Sequence, residues 1–158
     1  MTTQAPAPGL TPIEEVKRLS GLEFLRGIME GRLPPPPIAH HLGFTLAEVE
    51  EGRALFVGTP GFEVYNPIGS VHGGYIATLL DSAMSCAVQT TIPAGFGYTT
   101  VEIKVNFVRA VTDKTGLVRA EGRIINAGKR IGTSEGRLTD TQGRLLAHGT
   151  ATCLVFPL

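Results

Sequence analysis

The residues best suited to chemistry stand at the start of one apolar segment and roughly two helical turns inside it. Gly73 and Gly74 begin a predicted helix whose apolar segment, Tyr75 to Thr91, carries Asp81 as its one acid and no base. The first N–H groups of a helix have no intrahelical partner, and the helix dipole is positive there. Glycine lets a ligand come close to those groups. Backbone donors followed by a carboxylate in apolar surroundings predict a catalytic site.

Asp81 shares one narrow stripe of this predicted helix with small residues. At helical spacing the stripe contains Gly74, Thr78, Asp81, Ser85 and Gln89. Because charged residues normally face water, a simple hydrated face is one interpretation. The stripe lacks the Lys and Glu that usually cover the outer face of a surface helix, and it leads back to the two glycines. This favours a functional site over a hydrated surface.

The N-terminal part of the chain has its own pattern. Residues 1–10 are rich in Thr, Ala, Pro and Gly and are predicted to be disordered. Thr11-Pro12 opens a helix signal that continues to about Gly31, and the four prolines Pro34–Pro37 predict a stiff spacer. The sequence therefore predicts an N-terminal extension with a short helix, followed by a separate domain, with bounds of 1–40 and 41–158.

The rest of the chain alternates apolar and polar residues, as strands do. A hairpin precedes the long helix and four strands in a meander follow it: Phe44–Glu50 with Arg53–Thr59, then Thr100–Phe107, Leu117–Ile125, Arg130–Thr139 and Leu145–Phe156. One face of the last strands is small enough to let the helix lie close: Gly122, Gly132, Ser134, Gly136, Ala147, Gly149 and Ala151. This pattern predicts an α+β fold, an antiparallel sheet wrapped around one long central helix. Strand alternation places Thr100 on the polar face with Glu102.

Composition argues against several classes of protein. The chain has 14 basic and 14 acidic residues and a formal net charge of zero, which argues against nucleic-acid binding through bulk positive charge. Cys86 and Cys153 lie in apolar runs, so we expect buried free thiols and a cytoplasmic location. Tyr75–Val88 is too short to span a bilayer, and no signal-peptide pattern opens the sequence. No His or Cys is spaced with His72 to ligate a metal. We therefore expect no nucleic acid, membrane, metal or cofactor.

One motif resembles that of a known family. Asn66-x-x-Gly69-x-x-His72-Gly73-Gly74, with Asp81 downstream, is similar to the signature of hotdog-fold acyl-CoA thioesterases. The nearest group is the phenylacetic-acid-degradation (PaaI-like) branch of the 4-hydroxybenzoyl-CoA thioesterase (4HBT) superfamily. The resemblance covers roughly Leu42 to Phe156 and includes the strand that ends at Arg109-Ala110-Val111, where the family usually has Arg-Pro-Ala. It implies a hotdog fold.

The resemblance also implies an activity and roles for single residues. The activity is hydrolysis of an acyl-CoA thioester to a free carboxylic acid and CoA. Asp81 would act as general base or nucleophile, and the Gly73 N–H would polarise the thioester carbonyl. Asn66 would hold the carbonyl or the water, His72 would fix the loop and could assist at the thioester, and Thr100 would orient the water.

The same resemblance implies partners. The substrate is an acyl-CoA, and the protein would be a homodimer, or a homotetramer as a dimer of dimers, with Asp81 facing the other protomer. Gly74 is predicted to contact substrate, and Arg109, Lys129 and Arg130 are candidates for the CoA phosphates, although solvated strand-end charges are an equal alternative. A non-catalytic acyl-CoA-binding module is the other functional interpretation. A hotdog dehydratase ranks below both, because the acid and His pairing of those enzymes is not found here.

Overall fold

The computed structural model describes residues 6–158, so the predicted disorder of residues 1–5 lies outside the described residues. The helices and strands form an α+β arrangement. In chain order they are α1 Ile13–Val16, α2 Gly21–Met29, α3 Pro37–Leu42, β1 Phe44–Glu50, β2 Arg53–Gly58, α4 Gly73–Gln89, β3 Phe96–Phe107, β4 Val118–Ala127, β5 Ile131–Asp140 and β6 Leu145–Pro157. Short 3-10 turns lie at Phe62–Val64 and Asp113–Thr115. No helix in the described part of the chain is long and apolar enough to cross a membrane.

The strands form one six-stranded antiparallel sheet in the order β1-β2-β4-β5-β6-β3. The predicted hairpin is confirmed, but the predicted meander of four strands is wrong. Strands β4, β5 and β6 form a meander, whereas β3 pairs with β6 and forms an edge, with Phe107 opposite Ala147. The reason is the connection after β3: residues 108–117 are too many for a tight hairpin, so the chain crosses to another part of the sheet.

Helix α4 lies across the small face of the sheet, as the sequence predicts. A Cβ on Gly122 would overlap the backbone of Ala83, and a Cβ on Gly136 would stand 2.7 Å from Met84 Cγ. Ala83 and Met84 are fully buried. Because the strands offer no side chains at these positions, the helix backbone approaches the sheet closely, and this fixes where Asp81 can lie.

The N-terminal region contains more helices than the sequence pattern predicts. The single helix expected from Thr11 is broken into α1 and α2, because Ser20 caps a new helix. The Ser20 hydroxyl accepts the Glu23 N–H at 3.3 Å, and the Glu23 carboxylate accepts the Ser20 N–H at 2.8 Å. The proline run ends in a helix as well, since Pro37 is the first residue of α3.

Candidate active site

The loop before α4 is held by Asn66. Its side-chain oxygen accepts the N–H groups of Ile68 and Ser70, each at 3.1 Å, and its amide nitrogen donates to the Ser70 hydroxyl at 3.0 Å. Gly69 turns the chain at a φ of 94°, in the left-handed region that favours glycine. The geometry thus gives Asn66 a role in shaping the loop. Its contact with a substrate carbonyl or water stays a prediction, and the second hydrogen of its side-chain amide is the one that could make it.

His72 caps α4. Its Nδ1 accepts the N–H of Gly74 at 2.8 Å, so this nitrogen carries no proton and the ring is fixed against the helix start. The N–H of Gly73 has no acceptor among residues 6–158. A Cβ on Gly73 would lie 3.0 Å from the ring of Phe107, so the glycine also leaves room for that ring. The helix start therefore presents one free backbone donor beside an aromatic wall.

Asp81 lies on α4 with Thr100 opposite it. The Thr100 hydroxyl donates to Asp81 Oδ1 at 3.0 Å. The prediction that Thr100 shares a face with Glu102 is wrong, because a β-bulge interrupts the pairing of β3 with β6: Thr100 pairs with Cys153, but Glu102 pairs with Thr152. The extra residue reverses the alternation and turns Thr100 toward the helix. The structure thus joins two residues that the sequence placed on different elements.

The groups around this pair are neutral. Burial raises the pKa of the Cys86 thiol to about 12, and it also raises the pKa of the Cys153 thiol, whose sulfur lies 4.0 Å from the Thr100 oxygen. Burial likewise raises the pKa of Tyr98 well above its usual value. Since the thiolate and not the thiol is the nucleophile, neither cysteine is activated for attack. Asp81 is the group here that can accept a proton or attack.

The C-terminal part of the stripe, Asp81, Ser85 and Gln89, lines a cavity of about 710 Å³. Ser85, the next member of the stripe, is only 6% exposed, so the hydrated-face interpretation does not hold along its whole length. The cavity is lined by α4 and β3, by Phe44, Thr45, Leu46 and Phe56 of the β1–β2 hairpin, and by the N-terminal region, which sequence reasoning did not include in the site. Residues from α4 and β3 are Asp81, Ser82, Ser85, Cys86, Gln89, Tyr98, Thr99 and Thr100; N-terminal residues include Leu10, Phe24, Ile28 and Met29.

The two halves of the predicted site lie apart in one chain. Gly73 and Asp81 are eight residues apart on α4, which at 1.5 Å per residue separates them by about 12 Å along the helix axis. Asn66, His72 and Gly73 also do not line the cavity that Asp81 lines. One thioester carbonyl cannot touch both halves within a single chain.

The candidate phosphate-binding cations are also separated. The Arg109 N–H bonds to the Leu146 carbonyl, whereas the Arg130 carbonyl accepts the N–H of Val155. Positions 146 and 155 lie nine residues apart on β6, or about 30 Å at 3.3 Å per residue. None of Arg109, Lys129 and Arg130 has a carboxylate partner in the described part of the chain. No three His, Cys, Asp or Glu side chains between residues 6 and 158 converge as metal ligands.

Comparison with known proteins decides the family. Residues 68–147 match the family model described as the thioesterase superfamily (4HBT), and this span is half of the chain. The chain belongs to the thioesterase superfamily. The match includes the start of α4, Asp81 and Thr100, so the carboxylate and hydroxyl pair lies within the family's domain. The sheet and central helix of this thioesterase-superfamily chain are those of the hotdog fold.

Individual relatives agree with this membership. A 1,4-dihydroxy-2-naphthoyl-CoA hydrolase of Listeria monocytogenes is 28% identical over 114 residues, which cover 72% of this chain and 91% of the relative. The structure of a putative thioesterase from Ralstonia eutropha, a phenylacetic acid degradation-related protein, superposes with a TM-score of 0.75 at 27% identity and covers 83% of this chain and 98% of its own. The PaaI protein of E. coli shares the fold, with a TM-score of 0.68, 22% identity and coverage of 75% and 83%.

Proposed function

We propose that this protein hydrolyses an acyl-CoA thioester to a free carboxylic acid and CoA. The observation that carries the proposal is the Asp81 carboxylate, hydrogen-bonded by Thr100 on the wall of a mostly apolar cavity. Family membership supports thioester hydrolysis, and the Listeria relative acts on a CoA thioester. A carboxylate placed where an acyl group can enter can act as a general base in such hydrolysis.

In the proposed reaction Asp81 acts as general base. Its carboxylate takes a proton from water while the water oxygen adds to the thioester carbonyl, and the Thr100 hydroxyl holds the carboxylate in place. The tetrahedral oxyanion accepts the Gly73 N–H. Collapse of this intermediate breaks the carbon–sulfur bond, and the departing thiolate receives the proton from Asp81. In the nucleophilic alternative the carboxylate attacks the carbonyl directly and the carbon–sulfur bond breaks, so that CoA leaves as the thiolate and a mixed anhydride remains. Water then hydrolyses the anhydride to the free carboxylic acid and the Asp81 carboxylate.

The proposed site is shared between two protomers. Because Gly73 and Asp81 of one chain are about 12 Å apart along α4, the oxyanion donor for one Asp81 is proposed to come from a second chain. The edge strand β3 supports this pairing. Its unpaired side exposes apolar residues in and after the strand, and Val101, Phe107 and Val108 are 55%, 57% and 48% exposed. Two such edges can join to make a dimer, and two dimers could pair as a tetramer.

A shared site also suits the cations. Arg109 of one protomer and Lys129 with Arg130 of the other are proposed to approach the CoA phosphates together, since they cannot meet within one chain. Gly74 is proposed to contact substrate at the helix start, where its neighbour Gly73 donates. These groups would lie outside the acyl cavity, where phosphates can remain solvated.

Replacing Asp81 tests the proposal. Asp81→Asn keeps the size of the side chain but removes the base, and we expect thiol release from the best acyl-CoA to fall by about 10²- to 10⁴-fold. Glu135→Gln, at an exposed strand position, is the matched control and should retain wild-type turnover. Wild-type turnover in Asp81→Asn would overturn the assignment. A wild-type protein that binds CoA esters but releases no thiol would favour the non-catalytic binding module.

A further inference from the structure

The N-terminal arm, residues 9–40, is anchored to the domain at two places. The Gly21 N–H donates to the Ile92 carbonyl at 2.9 Å, and a Cβ on Gly21 would overlap the carbonyl of Gln89. Leu25 is 3% exposed and belongs to the main hydrophobic core. Helix α2 is therefore held firmly on the C-terminal end of α4 and can act as a fixed wall.

The arm presents apolar side chains to the cavity that Asp81 lines. Opposite them stands the α4 stripe from Asp81 to Gln89. Met29 and Leu10 are 39% and 87% exposed, so these two lie toward the opening, while Phe24 and Ile28 are half-buried. The apolar residues of the arm on this wall include Leu10, Phe24, Leu25, Ile28, Met29 and Ile38. The cavity thus runs between α2 and α4.

The length and charge of the cavity indicate what it holds. Asp81 and Gln89 are eight residues apart on α4, or about 12 Å along the axis. An extended chain covers about 3.5 Å in three bonds, so this distance accommodates roughly ten carbon atoms. Asp81 is the one carboxylate on the wall, no Lys or Arg of the described chain lines it, and His40 is the one basic side chain there. An uncharged, elongated acyl tail fits these surroundings better than a charged one.

We propose that the N-terminal arm is the acyl-binding wall of the site and selects medium-chain, uncharged acyl groups. The acyl carbonyl lies at Asp81, and the tail follows α4 toward Gln89 beneath α2. Side chains of the arm set the longest tail that is accepted. This inference rests on the proposed function for the thioester chemistry, but the binding of the tail can be measured without hydrolysis.

A matched pair of tryptophan substitutions tests the wall. Phe24→Trp adds bulk toward the Gln89 end of the cavity, near the contact of Gly21 with Gln89, whereas Ile13→Trp adds bulk at a 53% exposed position of the arm that does not line the cavity. Butyl, octyl, decyl, dodecyl and hexadecyl CoA thioethers, which cannot be hydrolysed, serve as probes in calorimetry. For wild type and Ile13→Trp we expect affinity to rise by up to about fourfold per methylene as far as the decyl probe and then to stop rising.

Phe24→Trp should shift that limit to a shorter chain, and Phe24→Ala, which enlarges the cavity, should shift it to a longer one. Benzoyl- and naphthoyl-CoA are included in a parallel hydrolysis panel. The proposal is overturned if wild-type affinity does not depend on chain length, if both tryptophan variants change it equally, or if aryl thioesters are preferred over every aliphatic one.

The two proposals fail separately. A wild type that releases no thiol but shows the chain-length limit and its shift in Phe24→Trp would retain the acyl-binding wall and overturn the hydrolase. A wild type that hydrolyses thioesters with a profile unchanged by Phe24→Trp and Phe24→Ala would retain the hydrolase and overturn the wall.

Discussion

At the scale of single residues, the proposed site depends on Thr100 and Gly73. Thr100 reaches Asp81 only because a bulge reverses the alternation of β3. The N–H of Gly73 has no acceptor in residues 6–158, and the absence of a Cβ leaves room for the Phe107 ring. A free donor at a helix start can stabilise negative charge at no cost of reorganisation.

One substitution can remove the N–H of Gly73 with little change to the backbone around it. Gly73→Pro deletes the N–H at the first helical position, where proline is well tolerated, and His72 at φ −62° and ψ 136° already has the backbone that precedes proline. We expect the kcat for thiol release to fall by about 10²- to 10³-fold with helix content unchanged by circular dichroism.

Gly73→Ala is the control for this change. It keeps the N–H but adds the same Cβ, 3.0 Å from the Phe107 ring, which must shift slightly. The loss should be much smaller than in the proline variant. Equal losses in both variants would show that packing against Phe107, and not the donor, explains the effect.

At the scale of elements, the close packing of α4 on the sheet depends on glycines in the strands. Gly122 on β4 meets the backbone of Ala83, which cannot move aside as a flexible side chain could. Leu79 and Leu80 fill the core beside this contact and are fully buried. The close approach of helix and sheet therefore determines the depth of the whole α4 stripe, and with it the position of Asp81.

Gly122→Ala should destabilise the fold. The added Cβ would overlap the Ala83 carbonyl and push α4 from the sheet, at a cost of about 1–3 kcal/mol or more in the free energy of unfolding. Urea denaturation followed by circular dichroism measures this cost. Gly9→Ala, whose Cβ would have only ordinary contacts at 3.8 Å, should unfold like wild type. Equal midpoints for the two variants would contradict the close packing.

The turn between β5 and β6 should make stability depend on acid pH. Burial of Asp140 would raise its pKa, but the Arg144 guanidinium and the N–H groups of Arg144 and Gln142 outweigh it and hold the pKa below its ordinary value of 3.8. A carboxylate with a lowered folded pKa stabilises the fold above its unfolded pKa and loses that contribution as pH falls through the folded value.

Thermal melts of wild type should therefore show a fall in stability below the ordinary pKa of 3.8. Asp140→Asn should be less stable than wild type near neutral pH and should lose less on acidification, because the amide does not titrate. Parallel stability curves for the two proteins throughout the acid range would show that Asp140 does not contribute.

At the scale of the whole molecule, the proposed site needs two chains. Asp81 lines the cavity, but Asn66, His72 and Gly73 at the start of α4 do not. The exposed apolar edge of β3 offers a surface through which a second chain could bring its own helix start to Asp81. The N-terminal arm covers the other side of the cavity within the same chain.

Complementation tests the sharing of the site. In a mixed dimer of Asp81→Asn and Gly73→Pro chains, a site shared between protomers leaves one site with both changes and one with neither. Random pairing of equal amounts should recover about a quarter of wild-type activity. Coexpression followed by a thiol-release assay measures this. A mixture no more active than its two parents would mean that both groups act within one protomer.

The sequence by itself determined the hairpin, the long helix with its Gly73-Gly74 start, the small sheet face and the motif of the family. These follow from local spacing, because apolar period, glycine and turn residues act over a few positions. The Ser20 to Glu23 capping box was also present in the sequence, but it was missed. Only the tertiary structure decided the pairing of β3 with β6, the bulge that turns Thr100 to Asp81, and the cavity wall formed by the arm. Each of these depends on contacts between segments far apart in the chain, and no local pattern encodes them.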